Sequence, residues 1–165
     1  MGGPTFRTGS LAADTFLFTD EAFTVDAGDG ANVVHGGVGD NFVKTGIGAD
    51  IVILTGGNNV IISKAGANTI SVTTGDNFIS TGLGADSITA TSGDNIIDAG
   101  DGANTITVSS GNNIITTGSG ADNITTAGFD GTVNTIDAGD GANTITTGAG
   151  EDTITGGDNA DTITG

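Results

Sequence analysis

Residues 82–108 read GLGADSITATSGDNIIDAGDGANTITV, and three features in this stretch recur every nine positions. Isoleucine stands at Ile88, Ile97 and Ile106. Glycine stands four residues before each, at Gly84, Gly93 and Gly102, and an Asx residue two before each, at Asp86, Asn95 and Asn104. Glycine permits the positive-φ turn that other residues resist. Asx side chains cap such turns or coordinate a cation. The Thr-Ile-Thr or Asn-Ile-Ile type of segment that follows is short, alternating and β-favouring. Each nine-residue unit is therefore a corner followed by a short strand. One such strand buries nothing alone. Stacked on copies of itself, it builds a continuous aliphatic core with backbone hydrogen bonds along the stack.

Working outward, the aliphatic position holds every nine residues from Val25 through Val34, Val43, Val52 and Ile61 to Ile124. It slips once by three residues across 125–135 and resumes as Ile136, Ile145, Ile154 and Ile163. The glycine holds at eleven successive sites from Gly30 to Gly120, and the Asx residue from Asn32 to Asp161. No useful helix fits between glycines nine apart. A second period, of eighteen, lies three residues before the aliphatic position. Ala31, Ala49, Ala67, Ala85, Ala103 and Ala121 alternate there with Asp40, Asn58, Asp76, Asp94 and Asn112. Two units thus make one coil, with an Ala-type side A and an Asx-type side B.

The expected fold is all-β: a parallel β-roll, or two-sided β-solenoid, with nine-residue half-turns and eighteen-residue coils. It has about 8.5 coils, roughly 40 Å of stack at the usual strand spacing. A three-sided helix would need a period of twenty-seven, which the sequence lacks. Residues 1–25 read as degenerate, Phe-rich repeats, a cap or an assembly segment. Residues 26–165 read as the regular roll with its three-residue insertion at about 125–135.

Composition narrows the chemistry. The 165 residues include 31 Gly, one Pro, no Cys, no Trp and no Tyr, and twenty acidic residues stand against three basic ones. Gly-rich, charged chains are often disordered, but disordered sequence does not place Ile, Val and Thr at fixed intervals. A net charge of -17 opposes binding to nucleic acid or to anionic membranes. It favours hard, oxygen-seeking cations. A single His35 and no Cys leave no zinc or haem constellation. No apolar run approaches the roughly twenty residues needed to insert across a bilayer, and Met1–Leu11 carries no signal-peptide core. The Ser and Thr residues have no recurrent His or Lys partner, and His35, Lys44 and Lys64 read as surface groups. The expectation is a non-enzyme.

Three stretches fit one further pattern: Gly46-Ile47-Gly48-Ala49-Asp50-Ile51-Val52, Gly82-Leu83-Gly84-Ala85-Asp86-Ser87-Ile88 and Gly118-Ser119-Gly120-Ala121-Asp122-Asn123-Ile124. They resemble the nonapeptide G-G-x-G-x-D-x-U-x of the RTX (repeats-in-toxin) calcium-binding family, and the resemblance covers nearly all of the chain after about Gly28. It implies a β-roll with Ca2+ held between adjacent turns of one side by loop carbonyls and the motif Asp. It also implies export through a one-step channel by a C-terminal signal, and hence an extracellular or cell-surface location. The chain departs from the family twice. It ends on a full repeat, Asp161-Thr162-Ile163-Thr164-Gly165, and many motif Asp positions are Asn.

Those substitutions are ordered. Side A runs Asp14, Asn32, Asp50, Asn68, Asp86, Asn104, Asp122, Asn143, Asp161, so every adjacent pair of coils offers one carboxylate and one amide. These nine residues are the expected metal row, with Asp29, Asp101 and Asp140 adding outer charge. Side B runs Asn41, Asn59, Asn77, Asn95, Asn113, Asn134, Asp152 and reads as a metal-free amide ladder.

The surfaces suggest a use. Just before the aliphatic position, side B carries Phe42, Val60, Phe78, Ile96 and Ile114. They form either an exposed contact ladder or a second packed row. Phe6, Phe16, Phe18 and Phe23 cluster at the N-terminal end, where they cap the monomer or plug a second copy. Counting back in nines from Phe16 puts Gly3 at the turn position, Phe6 in the place of Phe42 and Arg7 on an aliphatic position. Counting on from Gly165 reaches Met1 of another copy in register. The expected function is a secreted, calcium-binding structural protein that self-assembles head-to-tail into filaments or a surface layer. Phe6, Phe16, Phe18, Phe42 and Phe78 are the assembly residues, with possible lateral contact through side B. The alternative is a monomeric calcium-dependent module of a larger secreted protein. Ice or glycan binding would need an unbroken outward Thr ladder; Thr89, Thr107 and Thr125 begin one, but Ile53 and Ser71 precede them.

Overall fold

Glycine corners turn the chain every nine residues, and the segments between them are too short for anything but strands. The computed structural model describes residues 5–19, 21–129 and 131–165. Among these residues eighteen strands follow one another from β1 (Thr5–Thr8) and β2 (Thr15–Leu17) to β17 (Thr153–Thr155) and β18 (Thr162–Thr164). Odd-numbered strands form one nine-stranded sheet and even-numbered strands the other. All pairings are parallel, and residues eighteen apart face each other: Ile88 lies between Ile70 and Ile106, and Ile97 between Ile79 and Ile115. This is the two-sided solenoid, with one strand of each sheet per coil.

The aliphatic positions from Val25 to Ile145 are buried and form the centre of the core. A second inward column comes from the even strands, where Leu54, Val72, Ala90 and Val108 lie two residues further on. This column varies in size, and Gly36 shows why. A Cβ there would strike the Phe23 ring and Leu54. The tight corner is equally demanding: at Gly84 (φ +137) a Cβ would collide with the Gly66 carbonyl of the coil before. The insertion leaves the stack intact. Across it the ladder partners are simply twenty-one apart, as in Asn113 N to Asn134 Oδ1 at 3.1 Å, while the loop around exposed Phe129 closes on itself through Thr132.

At the N-terminal end Arg7 pairs with Val25 on the aliphatic column. Phe16 and Phe18 pack on the core, and Phe18 stacks on Phe23 with ring centroids 3.7 Å apart. These two rings therefore cover their own coil, whereas Phe6 is 64% exposed. Gly3 and Met1 lie outside the described residues. At the other end Ile154 is half-buried and Ile163 is 49% exposed.

Both outer faces are regular. On the odd sheet Phe42, Val60, Phe78, Ile96 and Ile114 stand opposite one another in register and point outward, with Phe78 40% exposed. The alternative of a second packed row is thereby excluded. The even sheet, from β8 (Thr69–Val72) to β18, carries two outward columns. One holds Thr69, Ser87, Thr105, Asn123, Thr144 and Thr162, the other Ser71, Thr89, Thr107, Thr125, Thr146 and Thr164.

Candidate metal centre

Every side-A loop brings its Asx side chain inward, under the corner, where it meets the next coil. The motif oxygen accepts a hydrogen bond from the backbone N–H of the motif residue one coil earlier. Asn32 N donates to Asp50 Oδ1 (2.8 Å), Asn68 N to Asp86 Oδ1 (2.7 Å), Asp86 N to Asn104 Oδ1 (3.0 Å) and Asn104 N to Asp122 Oδ1 (2.7 Å). Asn and Asp serve this ladder equally, because both offer Oδ1.

They differ at the second atom. In the Asn coils the amide nitrogen donates to the carbonyls four and two residues earlier. Asn32 Nδ2 reaches Gly28 O (3.1 Å) and Gly30 O (2.8 Å), and Asn104 Nδ2 reaches Gly100 O (3.1 Å) and Gly102 O (3.0 Å). Asn68 does the same with Lys64 O and Gly66 O. In the Asp coils that atom is an oxygen. Oδ2 of Asp50, Asp86 and Asp122 is buried and has no hydrogen-bond partner, and these residues are only 1%, 2% and 2% exposed. A buried, unpaired carboxylate oxygen is costly. Burial accordingly pushes the Asp86 carboxyl above its ordinary pKa, against the opposing pull of hydrogen bonds from Asn68 and Thr81.

The end members of the row differ. Asp14 Oδ2 accepts from both Ser10 N (2.6 Å) and Ser10 Oγ (2.9 Å), closing its own loop. Asp161 is half-buried and accepts from Asn143 N (2.9 Å). Asn143 spreads its amide over Ala138 O, Gly139 O and Gly156 O.

The outer acids lean on the following coil. Asp29 Oδ1 accepts from Ile47 N (2.9 Å), and Asp101 Oδ1 from Ser119 N (2.7 Å) and Ser119 Oγ (2.9 Å). These bonds from Ser119 hold the Asp101 carboxyl below the ordinary value. Asp26 is lowered too, chiefly by the Lys44 ammonium at 2.6 Å on the outer face.

The side-B Asn side chains from Asn41 to Asn134 are all paired. Asn59 Nδ2 donates to Gly57 O (2.7 Å) and to Asn77 Oδ1 (2.8 Å), and Asn77 and Asn95 repeat the pattern. A second, outer ladder runs the opposite way, with Asp76 N donating to Asn58 Oδ1 (2.8 Å) and Asp94 N to Asp76 Oδ1 (2.8 Å).

A hard cation fits the Asp loops of side A. Among the described residues no three His, Cys, Asp or Glu side chains cluster. A cation there would be held by one buried carboxylate and backbone carbonyls, the oxygen-only set that calcium accepts. The nine side-A residues expected as a metal row do share one ladder, but among the described residues only Asp50, Asp86 and Asp122 present a buried oxygen without a partner. A signal was present five residues earlier: Thr45, Thr81 and Thr117 precede Asp50, Asp86 and Asp122, Gly9 and Gly156 precede Asp14 and Asp161, and Ala27, Ser63, Ala99 and Ala138 precede the Asn residues.

A family model described as the RTX calcium-binding nonapeptide repeat (4 copies) matches residues 26–61, 62–97, 89–124, 98–133 and 130–163. Neither the curated proteins nor the solved structures contain a match to the chain.

Proposed function

Because this chain belongs to the RTX calcium-binding nonapeptide repeat family, we propose that it is a secreted, non-catalytic structural β-roll that calcium rigidifies and that stacks head-to-tail on copies of itself. The observation that carries the calcium role is the set of buried, unpartnered Oδ2 atoms of Asp50, Asp86 and Asp122. A cation bound there neutralises charge inside the stack and ties a loop to its neighbours.

Head-to-tail stacking would pair the outermost described strands of the two sheets. β17 and β18 stand at one end of the strand orders, where Ile163 is 49% exposed. β1 and β2 stand at the other end, around an open cleft of about 350 Å³ lined by Arg7, Thr8, Thr15, Phe16, Leu17 and Phe18. Unpaired parallel edges accept further strands. The joint would make Asp161 and Asp14 neighbours on side A, two carboxylates that repel unless a cation lies between them. The column Phe42–Ile114 supplies an apolar face for lateral contact. Electron microscopy in millimolar calcium is expected to show filaments with an axial repeat near 40 Å, about nine strands of 4.7–4.9 Å each. Monodisperse monomers, or filaments that survive deletion of residues 1–18, contradict the stacking.

One observation favours a second reading. Of the twelve outward positions in the two columns from β8 to β18, eleven are Ser or Thr, with Asn123 the exception. The break seen at Ile53 and Ser71 is confined to the N-terminal side, because the insertion hides the in-register continuation to Thr146 and Thr164. Such a flat hydroxyl grid, with rungs about 4.7–4.9 Å apart, suits a crystalline surface such as ice. Freezing-point depression with a hysteresis gap is the result this reading requires; an ordinary colligative freezing point rejects it.

A further inference from the structure

We propose that side A takes its cations only at alternate coils, in the loops of Asp50, Asp86 and Asp122, and that Asn32, Asn68 and Asn104 stand in for the cation in the loops between. The inference rests on the calcium reading above and specifies which loops it applies to. Asp and Asn have the same shape, and here they share the same backbone register and the same Oδ1 ladder. Only the second atom changes. As a nitrogen, in Asn104, it donates to the Gly100 and Gly102 carbonyls at 3.1 and 3.0 Å and draws these acceptors together. As an oxygen, in Asp86, it cannot donate to the carbonyls of its own loop, and it is buried without a hydrogen-bond partner. A loop whose acceptors lack a donor needs a positive species in the middle. A loop that already holds an amide there has neither the charge nor the space for one.

Two further features follow the same two-coil period. Thr45, Thr81 and Thr117 open the Asp loops, and the Thr81 and Thr117 hydroxyls donate to Ala99 O (2.8 Å) and Ala138 O (2.7 Å) of the next, Asn-type coil. The acid at the loop tip alternates in the opposite sense: Asp29 and Asp101 lie on Asn loops and lean onto the following Asp loops. Spacing also favours the arrangement. Cations in every coil would stand about 4.8 Å apart; in every second coil they stand about 9.6 Å apart, and their mutual repulsion falls accordingly. The three sites are unequal. The Asp50 and Asp122 loops each gain a second carboxylate from Asp29 or Asp101. The Asp86 loop instead meets Lys64 and Ala65, so with fewer ligand charges it fills last.

Equilibrium dialysis of the full chain against calcium chloride, with metal counted on the monomer fraction, tests the assignment. Three tightly held ions are expected per wild-type chain, four in Asn104→Asp and two in Asp86→Asn. The last variant merely repeats the residue of the neighbouring coils, so its fold is secure even where Asn104→Asp folds poorly. One tight ion per coil in the wild type, or counts unchanged by both substitutions, overturns the alternation while leaving calcium binding itself in place. No tight calcium in any of the three proteins overturns the calcium reading as well.

Discussion

Replacing Asn77 by alanine is expected to destabilise the folded roll by roughly 3–5 kcal/mol without changing the number of calcium ions bound. Asn77 Oδ1 accepts both the backbone N–H (3.1 Å) and the side-chain amide (2.8 Å) of Asn59, and its own amide donates to Gly75 O (2.6 Å) and Asn95 Oδ1 (2.9 Å). The residue is buried, and so is Asn59. Alanine leaves two buried donors of Asn59 and the Gly75 carbonyl without partners, each such group costing about 1–3 kcal/mol. Water reaches only part of the deficit, so the estimate lies inside the sum. Denaturant unfolding in saturating calcium measures it. A loss below about 1 kcal/mol would mean that the side-B ladder does not hold the coils together.

Much of this architecture was legible in the sequence because its determinants are local. Gly84 and Ile88 mark corner and core within five residues of each other, and the same spacing is repeated along the chain. The side-A alternation from Asp50 to Asp122 was equally plain. What stayed hidden depends on relations between coils. The outward direction of Phe42 and Phe78 is set by the pleat of a three-residue strand just after a turn, and sequence alone allowed either face. The hydroxyl columns were masked by the insertion, which puts Thr125 and Thr146 twenty-one residues apart although they are paired. The orphaned oxygens required knowing where Asn amides point. Only the Thr45, Thr81, Thr117 series hinted at it. At the N-terminal end, rings that looked equally suited to capping or to assembly divide: Phe16 and Phe18 pack on their own core, and Phe6 is exposed.

Calcium removal is the remaining large effect. The chain carries a net charge of -17, and three carboxylates are buried with an unpaired oxygen. Folding without a cation must therefore bury charge against its own repulsion. Metal binding to such sites contributes directly to folding free energy. At a hundredfold excess over Kd each site adds about 2.7 kcal/mol. Three sites give about 8 kcal/mol, comparable with the whole stability of an ordinary domain, about 5–15 kcal/mol. Magnesium demands a smaller, near-octahedral set and keeps its waters, so it does not replace calcium here. Far-UV circular dichroism in chelator, followed by back-titration with calcium and in parallel with magnesium, tests the central claim most directly. The account predicts loss of the β signal in chelator and its cooperative return with calcium but not magnesium; an identical β spectrum in chelator and in calcium, with no ion bound, would contradict it.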